Sequence, residues 1–191
     1  MSLKELIDNS RTDKNTTHSY INLYQELLIK KKYSATNILE VGIFKGGSIK
    51  LWSDFFVNAN VYGVDLITEN WDNNWDDIVA NKKIKMLLGQ NAYDEKFVNR
   101  EFTNNYIKFD FILDDGPHTI DSMKQFIILY SPLIKDDGIL IIEDVQSIDW
   151  IPHLINEVPE KFKKYIKVYD LRPIKNRYDD IVFTIDKLNI Y

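Results

Sequence analysis

The apolar positions change rhythm near residue 37. Before it they recur at helical spacing. "SLKELIDN" reads as a short amphipathic helix capped by Ser2, and "THSYINLYQELLIKKK" places Tyr20, Leu23, Tyr24, Leu27 and Leu28 on one helical face. After it, short apolar runs rich in Ile and Val alternate with helical stretches. "NILEVGI", "NVYGVDL", "KIKMLLG", "KFDFILDD", "GILIIED", "YIKVYDL" and "DIVFTID" predict strands. "GGSIKLWSDFF", "DEKFVNREF", "TIDSMKQFIILYSPL" and "IDWIPHLINEV" predict helices between them.

Strands alternating with helices imply βαβ units and a largely parallel sheet. Continuous apolar character, as in "GILIIED", fits strands covered on both faces. Between the last two runs, "RPIKNRYD" is too short and too polar for a helical crossover, so those strands should pair antiparallel. The expectation is an α/β fold with a sheet of about seven strands, mostly parallel with an antiparallel last strand, and helices on both faces. Ligands in such sheets bind beyond the carboxyl ends of the strands. Those ends carry Glu40, Asp65, Asp114, Asp115, Glu143 and Asp144.

Composition narrows the classes. At 191 residues one domain spanning 1–191 is the simplest organisation, with 1–34 as a helical cap over the active site. The net charge of -5 argues against a nucleic-acid-binding chain. The basic runs Lys30–Lys32 and Lys161–Lys164 read as solvated helix ends. The absence of cysteine removes disulfides, thiolate metal sites and thiol nucleophiles. Neither a signal-type apolar segment nor a run of about 18 apolar residues is present, which points to a soluble cytoplasmic protein with no membrane partner.

"EVGIFKGGS" joins the first strand to its helix. Gly42 allows a sharp turn, while Gly46, Gly47 and Ser48 open the helix N-terminus to close backbone approach. The spacing differs from the GxGxxG of dinucleotide binders and resembles the nucleoside loop of class I S-adenosylmethionine-dependent methyltransferases. Glu40 and Asp114 are then cofactor candidates, and Asp65 suits both ribose hydroxyls. In "LLGQNAYD", Gln90 or Asn91 either contacts adenine or caps a helix.

Fourth and fifth strands lie side by side in this sheet class, so Asp115 should meet Glu143 and Asp144. Three ionised carboxylates repel one another unless a cation joins them. All-oxygen donors suit a hard ion, Mg²⁺ first, with Mn²⁺ or Ca²⁺ as alternatives. His118 follows Asp115 by one turn of loop, and a histidine of ordinary pKa about 6.5 is a usable base near neutrality. Helix capping and Gly116-Pro117 turn chemistry account for any one of these acids taken singly.

The segments "TDKNTTHSYINLYQELL", "ILEVGIFKGGSIKLWSDFF", "VYGVDL", "DDGPH" and "GILIIED", from Thr12 to Asp144, together resemble the metal-dependent sugar O-methyltransferases of the mycinamicin and macrocin type. The resemblance implies Mg²⁺ held by Asp115, Glu143 and Asp144, and His118 as the catalytic base beside Asp115. It makes Lys14, His18 and Tyr20 candidates for contacts to cofactor or acceptor. The chain has no counterpart of the extra N-terminal domain of some relatives, which points to a small or open acceptor such as a nucleotide-linked sugar. Arg172 and Arg177 would then suit its phosphates. Trp71 and Trp75 either stack on a ligand or anchor their loop to the core, the second being the simpler reading. Methylation of a catechol-like acceptor, a hydroxylase-like tailoring reaction, and a non-catalytic binding protein are the competing functions. The aromatic faces of the first two helices could serve a homo-oligomer.

Overall fold

The computed structural model describes residues 1–68 and 75–189. Seven strands form one sheet: β1 (Asn37–Val41), β2 (Asn60–Asp65), β3 (Ile84–Leu88), β4 (Phe109–Asp114), β5 (Ile134–Ile142), β6 (Ile166–Asp170) and β7 (Ile181–Asp186). Their order is β3-β2-β1-β4-β5-β7-β6. The first five run parallel, and β7 lies antiparallel between β5 and β6. The order reverses between β1 and β4, the switch point at which such sheets bind ligands.

The helices are α1 (Leu3–Leu6), α2 (Tyr20–Leu28), α3 (Gly47–Phe55), α4 (Asp76–Val79), α5 (Glu95–Val98), α6 (Ile120–Tyr130), α7 (Ile151–Glu157), α8 (Glu160–Lys163) and α9 (Arg172–Lys175). Side chains of β5 divide by the pleat. Leu140 and Ile142 join Phe109, Phe126, Tyr130 and Phe183 in one apolar layer, while Ile139 and Ile141 join Tyr24, Trp52, Phe55 and Phe111 in the other. Both faces are therefore covered, which is why β4 and β5 read as unbroken apolar runs.

Local chemistry sets the element ends that matter for the site. Thr119 caps α6, its hydroxyl accepting the Ser122 N–H, so the loop 115–118 stops at a fixed point. Gly46 starts α3 in the left-handed conformation. Three details depart from the sequence reading. "RPIKNRYD" does contain a helical turn, α9, stopped by left-handed Asn176. Another turn, α4, lies between β2 and β3. The α2 helix begins at Tyr20, because residues 13–18 fold back on themselves, with the Asp13 carbonyl accepting the N–H of Thr16, Thr17 and His18.

At the opposite end of the sheet, buried Asp110 accepts the Thr36 and Asn37 N–H groups at 2.8 and 3.1 Å, and the ammonium groups of Lys31 and Lys135 at 3.0 and 2.7 Å. It locks the start of β1 to β4.

Candidate active site

The carboxyl ends of β1, β2, β4 and β5 open into a cleft of about 900 Å³. Gly42, at φ +88°, lets the chain leave β1 sharply, and a Cβ there would collide with the Asp115 carbonyl. At the end of β2, Asp65 holds this loop: its Oδ2 accepts the Ile43 N–H at 2.7 Å and its Oδ1 the Ile67 N–H at 3.0 Å. Asp65, Gln90 and Asn91 all line the cleft. Gln90 is already engaged with Arg100, at 3.0 Å, and the Asn91 side chain accepts the Tyr93 N–H.

Gly46, Gly47 and Ser48 are placed elsewhere. A Cβ at Gly46 would meet Ile78 and Trp75, and one at Gly47 would meet the Arg11 backbone. These two glycines admit protein, and neither they nor Ser48 are among the cleft-lining residues. Trp75 is buried and donates from Nε1 to the Lys45 carbonyl at 3.0 Å, joining the start of α4 to the loop after β1. Trp71 lies outside the described residues. Glu40 is also fully buried, its Oε2 accepting the Trp52 indole N–H at 2.9 Å.

The acids of β4 and β5 do converge. One ligand atom each from Asp115, His118 and Asp144 lies within 4.8 Å of the others. His118 Nε2 stands 3.5 Å from Asp144 Oδ2 and 3.8 Å from Asp115 Oδ1. His118 and Asp144 both have positive φ, +52° and +55°, a conformation that costs non-glycine residues and persists where surrounding structure enforces it. Asp114 points the other way, accepting the Tyr93 hydroxyl at 2.5 Å; burial pushes its carboxyl up to about 7 despite that bond.

The segment 14–24 supplies the donors. Lys14 is buried, with Nζ 2.6 Å from Asp115 Oδ2, bonded to Glu143 Oε1 and 3.5 Å from Glu40 Oε1. Tyr24 donates to the other oxygen of Glu143. Tyr20 donates to Asp144 Oδ1 at 2.5 Å. His18 Nδ1 lies 2.7 Å from Asp180 and 3.2 Å from Asp144. Lys14, His18 and Tyr20 thus face the acids and are not among the cleft-lining residues. Burial opposes the Lys14 ammonium, but three carboxylates outweigh it and hold its pKa well above the usual range. The acids outnumber their cation. Burial pushes Glu40 up to about 7, opposed by Lys14, and burial together with Asp115 raises both Glu143 and Asp144.

Arg172 and Arg177 are each paired with a neighbouring acid. Arg172 forks onto Asp170 at 2.8 and 2.7 Å, and Arg177 meets Asp179 at 2.9 Å. Several site residues escaped the sequence reading: Tyr24, Tyr93, Asp179 and Asp180. The tyrosines read as apolar positions because a hydroxyl does not disturb hydrophobic periodicity. The only signal for Asp179 and Asp180 was their place just before an apolar strand.

The architecture is the Rossmann-like fold of class I methyltransferases. Solved as a complex with Mg and SAH, the MycE methyltransferase from the mycinamycin biosynthetic pathway superposes with a TM-score of 0.73 at 20% identity, over 96% of this chain and 54% of that one. Among curated proteins, the chain is 26% identical over 120 residues to mycinamicin VI 2''-O-methyltransferase of Micromonospora griseorubida, covering 59% of this chain and 28% of that protein. It is 23% identical over 156 residues to demethylmacrocin O-methyltransferase of Streptomyces fradiae, covering 78% of this chain and 37% of that protein. The chain thus resembles these sugar O-methyltransferases while spanning about a third of their length. No family model matches it. Among the described residues no helix is long and apolar enough to cross a membrane.

Proposed function

We propose that this chain is an S-adenosylmethionine-dependent, Mg²⁺-dependent O-methyltransferase acting on a sugar hydroxyl, with His118 as the base and residues 1–34 as the cap behind its acids. The observation that carries the reading is the trio Asp115, His118 and Asp144 gathered beside a cleft headed by Asp65. The donor set fits a hard cation. Asp115 and Asp144 offer oxygen, and burial and mutual repulsion push the Asp144 pKa up, a charge surplus that a divalent ion relieves. Glu143 has both oxygens engaged by Lys14 and Tyr24, so it would join the ion only by exchanging one of them.

Asp115 and Asp144 would hold Mg²⁺, which would supply a lowered pKa to a nearby hydroxyl, and the S-adenosylmethionine in the cleft would supply the methyl group. Asp65 keeps free lone pairs for ribose hydroxyls on oxygens already fixed by two N–H groups. His118 Nε2, at the mouth, takes the proton released by the acceptor hydroxyl. Asp115 and Asp144 flank the imidazole and stabilise the imidazolium formed. The left-handed turns at His118 and Asp144 hold that geometry before any ligand arrives, which is a gain from orientation. Arg172 and Arg177 are not among the cleft-lining residues, which favours a glycoside acceptor over a nucleotide-linked sugar.

Calorimetric titration of S-adenosylhomocysteine in Mg²⁺ and in EDTA, followed by methyl-transfer assays on glycosides, nucleotide sugars and catechols, tests the reading. Binding in the micromolar range, turnover abolished by EDTA, and a loss of about 10²–10⁴ in rate for His118→Ala at unchanged cofactor affinity are expected. Full turnover in excess EDTA removes the metal. The absence of S-adenosylhomocysteine binding in either buffer removes the whole assignment.

A further inference from the structure

Asp144 has one oxygen toward the cleft and one toward the protein. Oδ2 lies 3.5 Å from His118 Nε2. Oδ1 accepts the Tyr20 hydroxyl and lies 3.2 Å from His18 Nδ1, the nitrogen that is also 2.7 Å from Asp180 Oδ1. His18 is 5% exposed and Asp180 fully buried, so little water screens these charges. One ring nitrogen therefore stands between two carboxylates. A lone pair there would face two anions, whereas a proton there bonds Asp180 and faces Asp144, so the surroundings select the Nδ1–H form.

The ring is held in place for this. It stacks on Tyr20 with centroids 4.9 Å apart and planes inclined by 16°. Its backbone N–H donates to the Asp13 carbonyl, and its own carbonyl accepts the Lys175 ammonium at 2.6 Å. Nε2 faces Asp13 at 3.7 Å.

We propose that His18 is a positioning residue. Hydrogen-bonded to Asp180, its Nδ1–H also faces Asp144 Oδ1 at 3.2 Å, and together with the Tyr20 hydroxyl it holds that oxygen so that Oδ2 is turned toward the cation. The inference rests on the cation proposed at Asp115 and Asp144, and it gives His18 a role behind the site in place of the cofactor or acceptor contact expected from sequence. Hydrogen-bond partners of metal-ligating groups commonly matter to affinity in this way.

Two amide substitutions separate the ring's nitrogens, since Asn places an N–H near Nδ1 and Gln near Nε2. Mn²⁺ serves as the probe, its binding to the purified protein read by electron paramagnetic resonance. His18→Gln should bind Mn²⁺ roughly 10–100-fold more weakly. His18→Asn should stay within about threefold of the parent, because it keeps the donor. S-adenosylhomocysteine affinity measured in EDTA should not change in either. Equal Mn²⁺ affinity in all three proteins, or equal loss in both variants, overturns the role. Should His18→Gln fail to fold, ¹⁵N spectra of the parent's histidines decide: a His18 Nδ1 without its proton overturns the proposal. A parent that binds no Mn²⁺ overturns the cation site itself, while a parent that binds and a Gln variant that binds equally overturn only the part given to His18.

Discussion

Replacing Lys14 by methionine removes the ammonium shared by buried Glu40 and Glu143 and half-buried Asp115. Its side chain is 1% exposed, with Asp115 at 2.6 Å, Glu40 at 3.5 Å and Glu143 in direct contact. Deleting one partner of a buried ion pair typically costs about 3–5 kcal/mol, because the remaining charge stays buried without compensation. Here three carboxylates lose their cation, which argues for the upper end. Glu40 and Glu143 already have raised pKa values and can relieve part of the cost by taking protons. A loss of about 4 kcal/mol is then expected, a large share of the roughly 5–15 kcal/mol that stabilises an ordinary domain. Urea unfolding in EDTA, followed by tryptophan fluorescence, measures it; Trp52 reports directly because its indole bonds Glu40. Glu143→Gln in the Lys14→Met background should restore stability, with a coupling of at least about 1 kcal/mol in the double-mutant cycle. A Lys14→Met cost below about 1 kcal/mol, or strict additivity, would refute the claim that this lysine holds the acids together.

Other outcomes follow from the same geometry. Glu40 is raised from 4.5 to about 7, so the unfolded chain releases this proton first. Stability in EDTA should therefore fall as pH rises from 4.5 to 7, by on the order of 3 kcal/mol from this group, and Glu40→Gln should flatten that slope in thermal melts. Gly42→Ala forces a side chain into φ +88° and against the Asp115 carbonyl, so it should cost more than about 1–3 kcal/mol and weaken Mn²⁺ binding as Asp115 shifts. At Asp110 burial works against ionisation, but Lys135, the Thr36 and Asn37 N–H groups and Lys31 outweigh it and lower the pKa below its ordinary 3.8. Its contribution is present above that value and is lost as pH falls through the lowered one. Asp110→Asn should then cost about 2–3 kcal/mol at pH 7 and progressively less in acid, measured by urea unfolding across pH.

The sheet was legible because its signal is local. The central strands announce themselves through apolar runs covered on both faces, and the missing crossover before β7 gave its direction. The convergence of Asp115 with Asp144 was legible too, since it follows from the pairing of β4 with β5. What the sequence hid was direction. Lys14 reads as a contact to the cofactor or acceptor and instead lies buried among acids. Gly46 and Gly47 read as open to a ligand and instead receive Trp75 and Arg11. Arg172 and Arg177 read as phosphate forks but have acids two residues away. In each case the deciding partner is either a tertiary neighbour or a residue too ordinary to single out. Turns as short as α4 and α9 escape periodicity altogether, because one turn of helix contains less than one repeat.

The Lys175 ammonium donates to the carbonyls of Asn15, Thr16 and His18 at 2.5, 3.0 and 2.6 Å, tying the β6–β7 connection to the segment ahead of α2. Those partners are 160, 159 and 157 residues away along the chain. Closing so long a loop carries an entropy cost that contacts already formed within the sheet reduce, so this clasp is expected to close after the sheet. The acids of β4 and β5 therefore acquire their donors after the sheet has formed. A chain with the sheet formed but this clasp open would hold its carboxylates without Lys14, His18 or Tyr20, so ligand affinity becomes a readout of whether that later step of assembly has been completed.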